Sequence, residues 1–279
     1  MSAKLLLGKP CAEQICESVR KVLADKRGKL YTVGMDNEAW KQYSNSLAKS
    51  AEKYGFDCEE VVVSNQISPQ GFNLVLMKTC EQPDATGVIV QQPLPKCYAN
   101  ALVFVDVKKD VDCLNPLSVA KLYASEDGLR PATPLAVLRL LDFYGIDLQG
   151  KHVVIVGRGN AVGKPLALMA LQRNATVTVC HSKTVGLASI CKGADVLISA
   201  CGVAGLITAD FVTPKTVVID VGLSFVNGKA CGDVASEVYD VAAAISPVPG
   251  GVGPVTRATL FENLCKALQQ QNDDNRYTT

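Results

Sequence analysis

Four apolar runs in the second half of the chain restrict its fold more than any other feature: HVVIVG (152–157), ATVTVC (175–180), DVLISAC (195–201) and TVVIDVG (216–222). Each is short and rich in β-branched residues, and a helical or loop-like stretch separates it from the next. A strand with one face in water alternates apolar and polar residues. One that is apolar throughout must be covered on both faces, as strands of a parallel sheet are beneath their crossover helices. The first half repeats the alternation: a helical pattern over about 10–27 leads to KLYTVG, one over 38–54 to CEEVVVS, and one over 69–81 to TGVIVQ. After Pro131, PLAVLRLLDFYGI carries apolar residues at i, i+3, i+4 and i+7 and ends at Gly145. The tail TRATLFENLCKALQQQ reads as an amphipathic helix, and NDDNRYTT after it is expected to fray. The fold class is therefore α/β in two domains, residues 1–130 and 131–254, with a last helix over 255–279 that either domain can accept.

Composition excludes several classes of partner. A net charge of +1 over 279 residues gives no electrostatic argument for nucleic acid or a membrane surface. The opening MSAKLLLGKP is too short for a signal sequence and no apolar run reaches membrane-spanning length, so a cytoplasmic protein is expected. The eleven cysteines stand far apart, none forms C-x-x-C, and there are two histidines, His152 and His181. Metal centres need clustered soft ligands, so none is expected, and the cysteines read as thiols in a reducing compartment.

In open parallel sheets ligands collect at the carboxyl ends of strands. Those ends carry GRGNAVG, CHSK, ACG and DVG in the second domain and VGMD and QQPLP in the first. The glycine loop, Gly157-Arg158-Gly159 through Gly163, is one residue longer than the dinucleotide fingerprint G-x-G-x-x-G. Glycine there permits close backbone approach, and a following helix can bind phosphate through its free N–H groups; a plain strand-to-helix turn would look the same. After ATVTVC an NAD site usually places an acid for the ribose 2′-hydroxyl. Here stand His181, Ser182 and Lys183, with Arg158 in the loop, a set of donors that suits a 2′-phosphate and hence NADP more than NAD. A second segment, ISPVPGGVGPVT (245–256), is too rich in proline and glycine for a regular helix or central strand. It reads as a rigid loop that either binds a planar ligand edge or serves as a crossover.

Together these segments resemble the methylenetetrahydrofolate dehydrogenase/cyclohydrolase family over nearly the whole chain: LGKP, VGMD…Y, GVIVQQPLP, KDVD, PATP, GR…VGKP, ATVTVCHSKT, DVGL, GDV and PVPGGVGP. The family's glycine loop, GRSxxVGxP, has the same long spacing. The resemblance implies an N-terminal α/β catalytic domain completed by the C-terminal helix, a Rossmann-type NAD(P)-binding domain, a folate cleft between them, and a homodimer. It implies an oxidoreductase of one-carbon metabolism that transfers hydride reversibly from 5,10-methylenetetrahydrofolate to NAD(P)⁺, giving 5,10-methenyltetrahydrofolate, with no metal or protein nucleophile. Carried over by position, Tyr43 stacks on the folate, Gln91 is the active-site glutamine and Asp112 holds the pterin. Pro249 and Gly250 line the folate side, and Thr133, Gly157, Arg158, Gly159, Ser182, Gly202, Leu223 and Thr256 fall at cofactor positions.

The departures bear on activity. The family pattern Y-x-x-x-K, whose lysine serves the cyclohydrolase step, is here Tyr43-Ser-Asn-Ser-Leu47. Lys49 lies two residues on, about 200° around a helix. KDVDG has become KDVDC at Cys113, and GRS has become GRG at Gly159. The expected function is a dehydrogenase with weak or absent cyclohydrolase activity, working beside a separate cyclohydrolase. A bifunctional enzyme and a catalytically silent folate- or nucleotide-binding homologue are the alternatives. KDVD together with QQPLP argues against a shikimate or amino-acid dehydrogenase.

Overall fold

Residues 2–24, 27–226 and 228–277 are described in the computed structural model, with side chains described as far as Asp273. In chain order the elements are β1 (Lys4–Leu5), α1 (Gly8–Leu23), β2 (Lys29–Met35), α2 (Glu38–Tyr54), β3 (Asp57–Val63), α3 (Pro69–Cys80), β4 (Ala85–Val90), α4 (Pro116–Tyr123) and α5 (Ala132–Phe143). They continue with β5 (His152–Val156), α6 (Gly163–Leu171), β6 (Thr176–Cys180), α7 (Leu187–Lys192), β7 (Val196–Ser199), β8 (Val217–Asp220), β9 (Ser224–Val226), β10 (Lys229–Cys231), β11 (Ala244–Ser246) and α8 (Val252–Tyr277). Backbone contacts divide the chain into two units, Gln14–Ala132 with Thr259–Thr279, and Met1–Glu13 with Thr133–Ala258.

The first of these units is built on a three-stranded parallel sheet of order β3-β2-β4. Its central strand β2 is buried from Leu30 to Met35, and Tyr31, Val33, Met35, Val88 and Val90 form one core with Phe72 and Leu76 of α3. Helix α2 starts where Asn37 Oδ1 accepts from the Trp40 N–H at 2.9 Å and stops at Gly55, whose φ of 89° ends the helix. Its buried residues are Trp40, Ser44, Leu47, Ala51 and Tyr54, the three- and four-residue spacing of a single apolar stripe. From α8, Phe261 stacks on Tyr54 with ring centroids 4.5 Å apart. Asn263 of α8, also buried, donates from Nδ2 to the carbonyls of Val111 (2.8 Å) and Arg130 (2.7 Å). That one amide ties the loop on both sides of Asp112 and Cys113 to the helix.

The other unit holds a six-stranded sheet, every pair parallel, of order β1-β11-β8-β7-β5-β6. The chain passes from β5 through α6 to β6 on one side, then returns through α7 to β7 on the other side of β5. The strand order therefore reverses between β5 and β7, the position where open sheets bind ligands. Strands β9 and β10 form an antiparallel hairpin apart from it.

Four expectations are corrected. Residues 1–13 join the unit of the six-stranded sheet rather than residues 14–130, because Lys4 and Leu5 pair with Ala244 and Ile245 of β11. A two-residue strand has no periodicity to read. Helix α1 runs over Gly8–Leu23, starting and stopping earlier than 10–27. The proline- and glycine-rich segment is not loop throughout: α8 begins at Val252, with Pro254 in its first turn, where a missing N–H costs nothing. The same helix continues through Tyr277, so most of the tail expected to fray is helical, and Thr278 and Thr279 lie outside the described residues. No helix among the described residues is long and apolar enough to cross a membrane.

Replacing Asn263 by Ala strips the hydrogen-bond donors from two carbonyls at once. A loss of about 2–3 kcal/mol is expected, read in thermal unfolding as a fall in Tm of roughly 5–10 °C; an unchanged Tm would show that the loop is held by other contacts.

Candidate active site

Three of the residues singled out in the sequence meet in one pocket. Tyr43 and Trp40 of α2, Ile89 and Val90 of β4, Gln91 and Gln92 just after it, Ala39 and Asp112 line a cavity of about 210 Å³. The sequence places them there for local reasons. Strand β4 ends at Val90, so Gln91 is the first residue free to turn its side chain to a ligand, and α2 opens beside it because β2 has just ended at Met35. The Gln91 side chain is oriented, since its Oε1 accepts from the Met35 backbone N–H at 2.7 Å. Backbone N–H can only donate, so the amide oxygen must face Met35 and both Nε2 protons are left for other partners.

Asp112 is presented by a loop that a neighbouring acid organises. Asp110, 4% exposed, accepts from Ser118 Oγ (2.6 Å), the Asn115 N–H (2.8 Å) and the Leu114 N–H (3.1 Å). Burial raises the Asp110 carboxyl, and these three donors oppose the rise. At Asp112 burial pushes the carboxyl up to about 6, the charge of Asp110 adding to it. Cys113 holds a left-handed φ of 56°, which explains why glycine suits this position; a side chain there costs roughly 1–2 kcal/mol. Its thiol is buried, within 3.6 Å of the Leu129 carbonyl.

Leu47 stands apart from these three residues. It lies one helical turn beyond Tyr43 but is 1% exposed and is not among the residues lining the pocket. Among the described residues, no lysine or arginine lines that pocket. Lys41 is paired with Asp36 at 2.7 Å, and Lys49 is exposed.

The remaining positions lie in the other unit, most of them at the carboxyl edge of its sheet: Gly157, Arg158 and Gly159 follow β5, Ser182 follows β6, Gly202 follows β7, Leu223 follows β8, and Pro249 and Gly250 follow β11. Thr133 and Thr256, both half-buried, lie near the starts of α5 and α8. The glycine loop is a tight cradle. Gly157 has φ 125°, and a Cβ on it would collide with the Ala200 carbonyl; a Cβ on Gly163 would collide with the Gly157 carbonyl. Nothing stands within 4 Å of where a Gly159 Cβ would be, so the loop is packed behind and open in front. This is the shape that lets backbone N–H groups approach a pyrophosphate. Arg158 and Ser182 each lie two residues past the paired Val156 and Cys180, and both are exposed. His181 to Thr184 is a fixed turn, with the Lys183 N–H donating to His181 Nδ1 at 3.1 Å.

Two family models match the chain. Residues 6–112 match the tetrahydrofolate dehydrogenase/cyclohydrolase catalytic domain, and residues 131–272 match the NAD(P)-binding domain of that family. The chain belongs to the tetrahydrofolate dehydrogenase/cyclohydrolase family. It is 44% identical over 229 residues, 81% of this chain and 83% of its relative, to the bifunctional protein FolD of Clostridium perfringens. Among solved structures, the bifunctional FolD methylenetetrahydrofolate dehydrogenase/cyclohydrolase of Campylobacter jejuni is similar at 36% identity and a TM-score of 0.93, covering 97% of this chain and 100% of that one. The Trypanosoma brucei FolD, solved with NADP and an inhibitor, is 30% identical with a TM-score of 0.88, over 97% of this chain and 99% of its own.

Two buried acids of the NAD(P)-binding unit were given no role from the sequence. Asp233, fully buried, accepts from Ser199 Oγ (2.9 Å) and from the N–H groups of Cys201 (2.9 Å), Gly202 (3.3 Å) and Val203 (2.7 Å). Asp220 accepts from the N–H groups of Gly222, Asp233 and Val234, and burial lifts its carboxyl to about 6. They hold the turns after β7 and β8. The segments GDV and DVGL contain them, but what they hold is set by long-range pairing. Trp40 was missed too, although it stands one turn before Tyr43.

Because burial outweighs the other influences on Asp112, a carbon-detected carboxyl titration is expected to place its midpoint at about 6, so that it loses its charge as pH falls through that value. A midpoint near 3.8 would mean that the side chain is solvated.

Proposed function

We propose that this protein oxidises 5,10-methylenetetrahydrofolate to 5,10-methenyltetrahydrofolate, using NADP⁺ in preference to NAD⁺, and that it hydrolyses the methenyl product weakly or not at all. The observation that carries this reading is a pocket in which Tyr43, Gln91 and Asp112 converge while, among the described residues, no cationic side chain lines the wall. NADP⁺, when bound, supplies the hydride acceptor. The chain's own task is to hold the folate in register and exclude side reactions. Tyr43 offers a ring face, Asp112 accepts from the donor edge of the pterin, and Gln91 donates from Nε2. Loss of hydride leaves a cation delocalised over the two nitrogens of the folate bridge, and a wall without lysine does not repel it.

Hydrolysis of that cation adds water, forms the formyl group and releases a proton, and so benefits from a base, an effect worth about 10²–10⁴-fold. Leu47 can neither accept nor donate. The methenyl compound is left for a separate cyclohydrolase. A bifunctional enzyme is the second reading, favoured by relatives that carry the name bifunctional.

For the cofactor, Gly157, Arg158 and Gly159 with Ser182 would hold the phosphates, and Thr133, Gly202, Leu223 and Thr256 the remainder. The cradle of Gly157 and Gly163 fits such a group. Arg158 and Ser182 on adjacent strand ends support a 2′-phosphate. A homodimer is also proposed, since Phe225 and Val226 on β9 are exposed apolar side chains, Phe225 by 71%.

Two measurements test the proposal. With methylenetetrahydrofolate, kcat/KM for NADP⁺ is expected to exceed that for NAD⁺, and Arg158→Ala is expected to raise the NADP⁺ KM about 10- to 100-fold, the value of one charged hydrogen bond, with the NAD⁺ KM little changed. A higher kcat/KM for NAD⁺ would reverse the cofactor assignment. During turnover, methenyl absorbance is expected to build up, and Leu47→Lys is expected to hasten its decay while lowering Tm, because Leu47 is fully buried. Burial would also favour the neutral amine, the form able to act as a base. Rapid decay in the unaltered protein would sink the monofunctional reading.

A further inference from the structure

Two buried acids grip each other's segments where the chain leaves the six-stranded sheet and comes back to it. Between Asp220, the last residue of β8, and Asp233 the chain runs out and back through the β9–β10 hairpin. Asp220 accepts from the N–H groups of Asp233 and Val234, both at 3.0 Å, so the acid of the outgoing strand holds the returning chain. A Cβ on Gly222 would collide with the Asp233 carboxyl, and a Cβ on Gly232 with that of Asp220. Each acid is therefore seated against a glycine of the other's segment, and both acids are buried.

Asp233 also fills the turn after β7. Its Oδ2 accepts from the N–H groups of Cys201 and Gly202, from the Ser199 hydroxyl and, at 3.2 Å, from the Cys201 thiol, while Oδ1 accepts from the Val203 N–H. Successive N–H groups that face one point form a nest suited to an anion, and here the protein supplies the anion itself. Gly202 holds a left-handed φ of 68°, and a Cβ on it would meet nothing within 4 Å, so the turn is bare where a side chain would stand. Ser224 Oγ donates to the Gly202 carbonyl at 3.1 Å and ties this turn to the one after β8. Leu223, 61% exposed, stands between Gly222 and Ser224, both of them held. Gly202 and Leu223 thus share one hydrogen-bonded support, with Asp233 at its centre.

We propose that Asp233 is a positioning residue for the nicotinamide cofactor: with Asp220 it forms the turns of Gly202 and Leu223 into one surface before the cofactor arrives. The inference rests on the cofactor reading above, which sets those two residues against the cofactor. Asp233 acts through the backbone it holds. A turn ordered in advance spares the cofactor the entropic cost of ordering it on binding.

Asp233→Asn keeps one accepting oxygen and turns an amide NH₂ against N–H groups that need an acceptor. It is expected to raise the NADP⁺ KM about tenfold or more, the effect of one charged hydrogen bond, while the methylenetetrahydrofolate KM at saturating NADP⁺ stays within about twofold. A merely structural loss would lower the amount of active enzyme, and with it the apparent kcat, without singling out one KM. An NADP⁺ KM within about twofold of the unaltered protein overturns the assignment. Should the variant fail to fold, amide hydrogen exchange in the unaltered protein decides. The N–H groups of Cys201, Gly202 and Val203 are expected to exchange about 100-fold more slowly than open-chain amides with no cofactor present. Exchange at the open-chain rate until NADP⁺ is added would show that the cofactor forms the turn, and the proposal falls. Failure of the cofactor reading looks different. If saturating NADP⁺ leaves the amide resonances of Gly202 and Leu223 in place, those residues do not meet the cofactor, and the Asp233 inference falls with that reading.

Discussion

Parallel pairing sends the carboxyl end of every strand to the same edge of its sheet, and the rest of this molecule follows from that constraint. In the six-stranded sheet it gathers the loops after β5, β6, β7, β8 and β11, although their residues are spread from Gly157 to Gly250. In the three-stranded sheet it brings the end of β2, where α2 begins, beside the end of β4, where Gln91 stands. Neither arrangement needs a special side chain to bring distant residues together. The backbone ladder does it, and the side chains then specialise what the ladder has assembled.

An edge so crowded with turns leaves many N–H groups without ladder partners, and buried carboxylates meet that need. Asp233 and Asp220 hold the turns after β7 and β8, while Asp110 holds the turn that presents Asp112. Removing a carboxylate from water is costly, and hydrogen bonds from backbone N–H groups offset the cost only when several converge. Where they do converge, the turn has its N–H groups satisfied. Asp112 itself lacks such a set among the described contacts, and burial lifts it to about 6. An acid held near neutrality by its surroundings is suited to a ligand that offers hydrogen-bond donors.

Much of this was legible in the sequence for identifiable reasons. The buried strands are apolar because both faces are covered, and so HVVIVG and TVVIDVG announce themselves. Tyr43, Gln91 and Asp112 were found through the segments VGMD…Y, QQPLP and KDVD, and the structure gathers the three around one cavity. What escaped notice has equally specific causes. β1 is too short to show a period, yet its pairing with β11 moves the first 13 residues into the other unit. The start of α8 hides among prolines and glycines that normally mark loops.

The sequence by itself determined the α/β class, the strands and most helices, the family and the residues worth examining, because these depend on local periodicity and on short motifs whose spacing is preserved along the chain. Only the tertiary structure decided that Leu47 is buried, that Gln91 turns its oxygen to Met35, and that Trp40 keeps an unpaired N–H over Gly34. Burial and hydrogen-bond partnership belong to pairs of residues far apart in the chain. No local pattern encodes which atoms such a pair will satisfy and which it will leave unpaired.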